Sequence, residues 1–412
     1  IRQIKKIFFP FYKNSDLKFV FKKLQEDSPV KSKTAMFVGG CVRKHLLNEK
    51  IDDIDIATSL TTDQIKEKFK KTKFDTIDSG IKHGTVTLVY KDLKLELTTL
   101  RKDIKTDGRH AEIEYTDDWQ KDSERRDFTI NAIYLDINGK IFDPQLGTVD
   151  LKNCNIKFIG APQKRIEEDY LRIIRFIRFV IEYESKIEPT TIEAIKLNLD
   201  GIKKISKERI LLELFKILDL KNFINLNKSE ILKEIFSLIF PEFVYIHRLD
   251  RLKKIYHQTQ IKRNILLAVL LIDDKSNHEY FAHKYNIPNN INESLNSLAN
   301  DLRSLKENKD FFGKDIEKNI YLNTKHYLID LNILNYVCST KYKLKDFSEK
   351  FKKILQSKTF VFPFDGKYLI QNGMQEGAKI GRVLKTIEKE WMNNNFQISK
   401  DRVREIIKYN TN

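Results

Sequence analysis

Short alternating runs dominate the first part of the chain. Ala35–Val38 is an apolar run ending in Gly39-Gly40 and predicts a strand, and Cys41–Asn48 suits a short helix after it. Ile51–Ala57 alternates and predicts a second strand. Gly84–Tyr90 and Leu93–Thr99 alternate on either side of Lys91-Asp92, the pattern of a hairpin. The polar stretch from Arg101 to Glu124 shows no such pattern. It is too long for an ordinary connection, which marks it as a functional or mobile segment.

After about Arg165 the apolar period becomes helical. Runs cover Arg165–Tyr183, Lys207–Leu218, Lys228–Phe240 and Asn264–Asp273, with Pro241 stopping the third and Ser206 placed as an N-cap for the second. The fold class is therefore α+β, with a mixed part over residues 1–160 and helical parts over 161–225 and 226–412. Two to four domains suit 412 residues at about 100–200 residues each.

No apolar stretch reaches the roughly 18 residues of a membrane span, so no membrane role is expected. Cys41, Cys154 and Cys338 are far apart and odd in number, which speaks against a disulfide framework and for a reducing cytoplasm. The 75 Lys+Arg against 58 Asp+Glu leave a net charge of +17, which favours a polyanionic partner such as nucleic acid or an anionic surface. A compositional bias towards Lys, Ile and Asn would produce the same charge. No obligate protein partner is evident.

Asp53 and Asp55 are two apart on a predicted strand and share a face, while Ile54 and Ile56 take the other. Two adjacent carboxylates repel, and a divalent cation removes that cost; oxygen ligands suit Mg²⁺. Glu96, flanked by Leu95 and Leu97 on another strand, is a third acid of the kind a two-metal centre needs. An exposed strand face carrying acids is the plain alternative. Gly39-Gly40 between strand and helix, with Arg43 one turn on, adds a phosphate-binding element to the carboxylates.

Together these residues resemble a known family. Gly39-Gly40-Cys41-Val42-Arg43 followed by Asp53-Ile54-Asp55-Ile56-Ala57-Thr58 resembles the first motif of the class II tRNA nucleotidyltransferase and bacterial poly(A) polymerase family. Arg125-Arg126-Asp127-Phe128-Thr129-Ile130-Asn131-Ala132 resembles the second. Asp143-Pro144, Gly147 and Asp150-Leu151 resemble the third, Glu168-Asp169-Tyr170-Leu171-Arg172 the fourth, and Ser206-Lys207-Glu208-Arg209 through Glu213-Leu214 the fifth. The five occur in order over roughly residues 35–220, in wording most similar to alphaproteobacterial members. One departure is Lys44, where the family usually has an acid.

The resemblance implies a polymerase-β-like nucleotidyltransferase head, then a helical neck, body and tail, the last two binding tRNA. It implies two catalytic Mg²⁺ ions on Asp53 and Asp55, to which the strand reading adds Glu96 as a further catalytic acid. Nucleotide contacts would fall on Gly39, Gly40, Arg43, Arg126, Asp127 and Asn131. The fourth motif implies nucleotide selection by Asp169 and Arg172, three apart on a predicted helix and so on one face. Cytosine and adenine each present an amino donor beside a ring-nitrogen acceptor; guanine and uracil present a carbonyl beside an N–H. An aspartate that only accepts and an arginine that only donates therefore suit C and A and mismatch G and U. An ordinary helical ion pair is the alternative. Arg175 and Arg178, interleaved with apolar residues, would reach triphosphate or support this pair.

Gly80-Ile81-Lys82-His83-Gly84-Thr85-Val86 resembles the segment of CCA-adding enzymes, and the run from Thr98 through His110 resembles a full-length loop before the second motif. The expected activity is complete CCA addition to tRNA from CTP and ATP. Alternatives are a poly(A) polymerase, a CC-only enzyme or a non-catalytic RNA-binding protein. In the tail, Gly373, Gly377 and Gly381 surround Lys379 and Arg382 at a helix start, which suits an RNA phosphate; close helix packing at small residues is the other reading.

Overall fold

The structure, a computed structural model, describes residues 10–28, 34–80, 84–106, 111–305, 307–308 and 310–411. The predicted features at Ile81–His83 and Asp107–His110 lie outside the described residues. The chain divides into two compact units, Ile1–Phe243 with Lys284–Asn286, and Val244–His283 with Ile287–Asn412.

The first unit opens on a seven-stranded sheet. Its strands are β1 (Ala35–Val38), β2 (Ile54–Thr58), β3 (Asp75–Gly80), β4 (Thr85–Tyr90), β5 (Leu93–Thr99), β8 (Tyr134–Leu135) and β9 (Ile141–Phe142), in the order β3-β4-β5-β2-β1-β8-β9. The β2–β5 pair is parallel and its neighbours antiparallel. Period-two alternation sorts the sheet into two faces. Phe37, Ile56, Leu97 and Val86 follow one another across the strands and are buried. Phe37 meets Phe21 of the Ser15–Gln25 helix, with ring centroids 4.6 Å apart. The opposite face carries Asp55 and Glu96, then Ala57, Met36 and Val38, which pack with Leu100, Trp119 and Tyr134. One end of this face is apolar and covered; the other carries acids.

The Arg101–Glu124 stretch, expected as a functional or mobile segment, contains regular elements: β6 (Arg101–Thr106) and β7 (Ala111–Tyr115) pair as an antiparallel ribbon, and Trp119–Glu124 is helical. The β7 segment Ala111-Glu112-Ile113-Glu114-Tyr115 does alternate, but its partner β6 carries a single apolar residue, Ile104, and so reads as a polar connection. The Arg165–Tyr183 run is two helices, Pro162–Glu168 and Leu171–Tyr183, because Asp169 leaves the helical region at φ −156°, ψ 105°. The asparagine- and serine-poor apolar period hides this break.

Of the further helices of this unit, Lys207–Leu218 and Glu230–Ile239 follow the sequence pattern closely, while Pro189–Asn198 was not among the predicted runs. Ser206 stands at the N-cap position of Lys207–Leu218, but its side chain makes no capping bond. Ser229 does cap the next helix, accepting from Leu232 N at 3.3 Å. Gly201 packs against Tyr170 so closely that a Cβ would lie 2.1 Å from the ring, which fixes the turn after the helix break.

The second unit is helical. Arg263–Leu271 is buried along its whole apolar run. Its C-terminal part has its own small core of Leu369, Met374, Val383, Ile387, Val403, Ile406 and Ile407. No helix among the described residues is long and apolar enough to cross a membrane.

Candidate active site

β1 turns directly into the Gly40–Leu46 helix through Gly39 at φ +72°, a conformation that disfavours any side chain. At Gly40 an added Cβ would meet nothing within 4 Å, so the backbone there borders open space. Asp55 stands beside this turn: a Cβ on Gly39 would lie 3.7 Å from its Oδ2. The buried Cys41 thiol donates to Val38 O at 3.3 Å and to Asp55 O at 3.6 Å, tying the turn to β2. Burial pushes that thiol up to about 12, so it is an inert packing group.

Asp55 is directly opposite Glu96 in the parallel register. Asp53 is exposed and immediately precedes β2, which begins at Ile54 rather than Ile51. Burial and then the Glu96 charge push Asp55 up to about 6, with Asp53 adding to the rise and Arg126 and Arg43 opposing it. Glu96 meets Lys94 at 3.1 Å. This all-oxygen donor set fits a hard divalent cation, which would relieve the crowding that raises Asp55. Among the described residues no three His, Cys, Asp or Glu side chains enclose an ion by themselves. Mg²⁺ suits such an open set, since it commonly takes one or two carboxylates and completes its shell with water and phosphate.

The second motif builds the wall beside these acids. Asp122, 0 % exposed, accepts from Arg125 Nε at 2.8 Å, Arg126 Nη2 at 3.0 Å and Tyr134 Oη at 2.8 Å. Against the upward push of burial, Arg126 and Arg125 hold its carboxyl well below the usual range. Arg126 also faces the Tyr134 ring at 5.2 Å. Asp127 is held in the same way: burial would raise it, but Arg175 Nε at 2.8 Å and Asn131 Nδ2 at 2.9 Å keep it ionised. Asn131 in turn accepts from Arg43 Nη1, and Arg43 Nε donates to Tyr183 Oη at 2.9 Å. Arg178 donates to Glu213 Oε2 at 2.8 Å, and Lys216 and Arg175 face the same carboxylate. A continuous run of charge-assisted bonds thus joins the glycine turn, the second motif and the Leu171–Tyr183 helix.

Asp169 and Arg172 do not share one helical face. Asp169 sits in the break, where its Oδ1 accepts from Leu171 N at 3.1 Å and its Oδ2 from Arg209 Nη2 at 2.8 Å. Arg172 lies in the following helix and uses Nη1 for Glu168 and for Arg165 O at 2.8 Å. Lys44, the departure in the first motif, pairs with Asp52 at 3.0 Å, next to Asp53. In the second unit, Lys379 and Arg382 are exposed at the start of the Lys379–Asn393 helix. A Cβ at Gly373, Gly377 or Gly381 would meet nothing within 4 Å, so close helix packing does not explain these glycines.

Residues 35–157 match the family model described as the poly A polymerase head domain, and 186–245 the one described as a probable RNA and SrmB-binding site of polymerase A. Over 402 residues the chain is 34 % identical to the mitochondrial CCA tRNA nucleotidyltransferase 1 of Homo sapiens, covering 92 % of this chain and 89 % of that protein. The chain belongs to the CCA-adding tRNA nucleotidyltransferase family. The CCA-adding enzyme of Lactobacillus helveticus is 30 % identical, over 90 % of this chain and 92 % of that one. The Bacillus stearothermophilus CCA-adding enzyme, solved in complex with CTP, superposes with a TM-score of 0.70 at 25 % identity, over 95 % of both chains. A Thermotoga maritima CCA-adding enzyme complexed with tRNA shares the fold, with a TM-score of 0.61 at 22 % identity.

Seen as a CCA-adding nucleotidyltransferase, the chain also ties into this site residues to which sequence reasoning gave no role of their own, Glu213 and Arg209 of the fifth motif among them. Asp122 lies three and four residues before Arg125 and Arg126 on a short helix, a spacing that could have been read. Glu213 is an acid on the buried face of Ile210, Leu214 and Ile217, a signal of an internal ion pair. Tyr134, Tyr183 and Arg209 are joined to the site only by long-range pairing, which no local pattern shows.

Proposed function

We propose that this protein adds C, C and A to the 3′ end of tRNA, using CTP and ATP and no nucleic-acid template. The observation that carries this reading is Asp55 opposite Glu96 beneath the Gly39 turn, in a chain 34 % identical over nearly its whole length to a CCA tRNA nucleotidyltransferase. Transfer in this family is metal-dependent. Asp53 and Asp55, with Glu96 beside them, would hold two Mg²⁺ ions, which when bound activate the primer 3′-hydroxyl and steady the leaving pyrophosphate.

The chain's own residues do the rest. Backbone N–H groups at Gly39 and Gly40 approach the triphosphate, Gly40 from the side where the backbone borders open space. Arg126, anchored by Asp122, brings positive charge to the carboxylates. Asp127, Asn131 and Arg43 hold the wall of the site, and Arg175 and Arg178 support it through Asp127 and Glu213. Asp169 accepts from the exocyclic amino group of C or A. Arg172, with Nε and Nη2 not engaged by Glu168 or Arg165, donates to the adjacent ring nitrogen. Guanine and uracil would leave like groups facing each other, at about 1–3 kcal/mol per unpaired group. Lys379, Arg382 and the open glycines beside them contact tRNA phosphate, and the protein works in the cytoplasm.

Asp169→Asn tests the selection. An amide offers a donor where the carboxylate only accepts, so incorporation of UTP relative to CTP should rise about tenfold or more. The check is kcat/KM for each of the four nucleotides on a tRNA ending at its discriminator base. Unchanged ratios would remove Asp169 from base recognition.

A further inference from the structure

Arg165 is 8 % exposed and belongs to none of the roles above. It lies in the last turn of the Pro162–Glu168 helix, immediately before the break that carries Asp169. Its Nη2 donates to two consecutive main-chain carbonyls, Arg125 O and Arg126 O, each at 2.5 Å. Those carbonyls immediately precede Asp127. Its Nη1 donates to Glu168, whose Oε2 also accepts from Arg172, and Arg172 donates back to the carbonyl of Arg165. One planar guanidinium therefore spans the segment holding Arg126 and Asp127 and the segment holding Asp169 and Arg172.

A structural cation would be expected to be comfortable in such a place, and Arg165 is not. Its Nε is buried without a hydrogen-bond partner. Burial and the nearby Arg172 charge both act against its charged form. Two arginines share one carboxylate, so Glu168 ties the placing of the Arg172 fork to that of Arg165. Only a five-donor fork of fixed geometry reaches both carbonyls and Glu168 together; a lysine ammonium is a point charge on a flexible stem.

We propose that Arg165 is a positioning residue that sets nucleotide selection: it holds Arg172, and the break beside Asp169, at a fixed distance from the Arg126–Asp127 segment. It touches no substrate. This rests on Asp169 and Arg172 being the base-selecting pair. Arg165 governs the accuracy of that pair rather than the chemical step at Asp53 and Asp55.

The test uses the full-length protein with Arg165→Lys, which keeps the charge, and Arg165→Met, which keeps much of the stem. For each, kcat/KM is measured with CTP, ATP, UTP and GTP on tRNA ending at the discriminator base or at CC, alongside the melting temperature. In Arg165→Lys, discrimination of CTP over UTP and of ATP over GTP should fall about tenfold, with kcat for the correct nucleotide changed far less. If Arg165→Met proves too unstable to assay, Arg165→Lys decides alone. A uniform loss with all four nucleotides, in proportion to lost stability, would overturn the inference and leave Arg165 a plain structural residue. Asp169→Asn, measured in parallel, separates the two ideas. If it relaxes selection and Arg165→Lys does not, the inference about Arg165 fails alone. If Asp169→Asn leaves selection intact, the base-selecting reading fails, and the inference with it.

Discussion

Asp55→Ala and Asp53→Ala are each expected to stop nucleotide addition while leaving tRNA binding nearly unchanged. Several kcal/mol of transition-state stabilisation by bound metal correspond to a loss of about a thousandfold or more in kcat. Asp55 also makes the metal-free protein less stable. Asp55 is pushed up to about 6 by burial and by Glu96, so at neutral pH it is ionised against its surroundings. Its folded value lies above the ordinary carboxylate value, so the folded state binds more protons between the two and loses stability as the pH rises across that window. Asp55→Asn should therefore melt at a higher temperature than the parent near pH 7 without divalent cation, yet be inactive with it. Full activity in either alanine variant would remove these residues from the metal site. A lower melting temperature for Asp55→Asn would contradict the electrostatic account.

The largest effect on stability should come from Asp122→Ala. Asp122 is wholly buried, and its two oxygens pair with Arg125 and Arg126, whose side chains are 14 % and 16 % exposed. Removing one member of such a cluster leaves charge buried without compensation, at a cost of about 3–5 kcal/mol. For a unit of this size that is a fall of about 10 °C in melting temperature. The carboxyl is held below its ordinary value, so its contribution is complete above the usual carboxylate range and is lost as the pH falls through the depressed value. The parent should lose stability on acidification more steeply than Asp122→Ala does. A variant within about 1 kcal/mol of the parent by urea unfolding would show that the arginines find water or other partners.

The sheet and most helices were readable because their apolar periods are regular: Leu93–Thr99 and Lys207–Leu218 stand at the predicted bounds. The Asp55–Glu96 juxtaposition needed only strand alternation and the placing of two strands side by side. The β6–β7 ribbon was missed because β6 has one apolar residue, Ile104, and reads as a polar connection, although β7 alternates. The break at Asp169 was missed because Ile166 and Ile173 keep apolar spacing on both sides of it, while a single backbone change separates the helices. The internal ion pairs were hidden for another reason. Arg175 and Arg178 look like cations on an apolar helix, and only the fold brings Asp127, 48 residues away, and Glu213, 35 away, to meet them.

The most direct test of the whole account is an extension assay on a tRNA ending at its discriminator base. CTP, ATP and both together are offered with Mg²⁺, and products are read at single-nucleotide resolution. The account predicts two additions with CTP alone and three with both nucleotides, in the order C, C, A, with no further growth. A lengthening A tail, a stop after two C in the presence of ATP, or no extension by protein that binds the tRNA would contradict it.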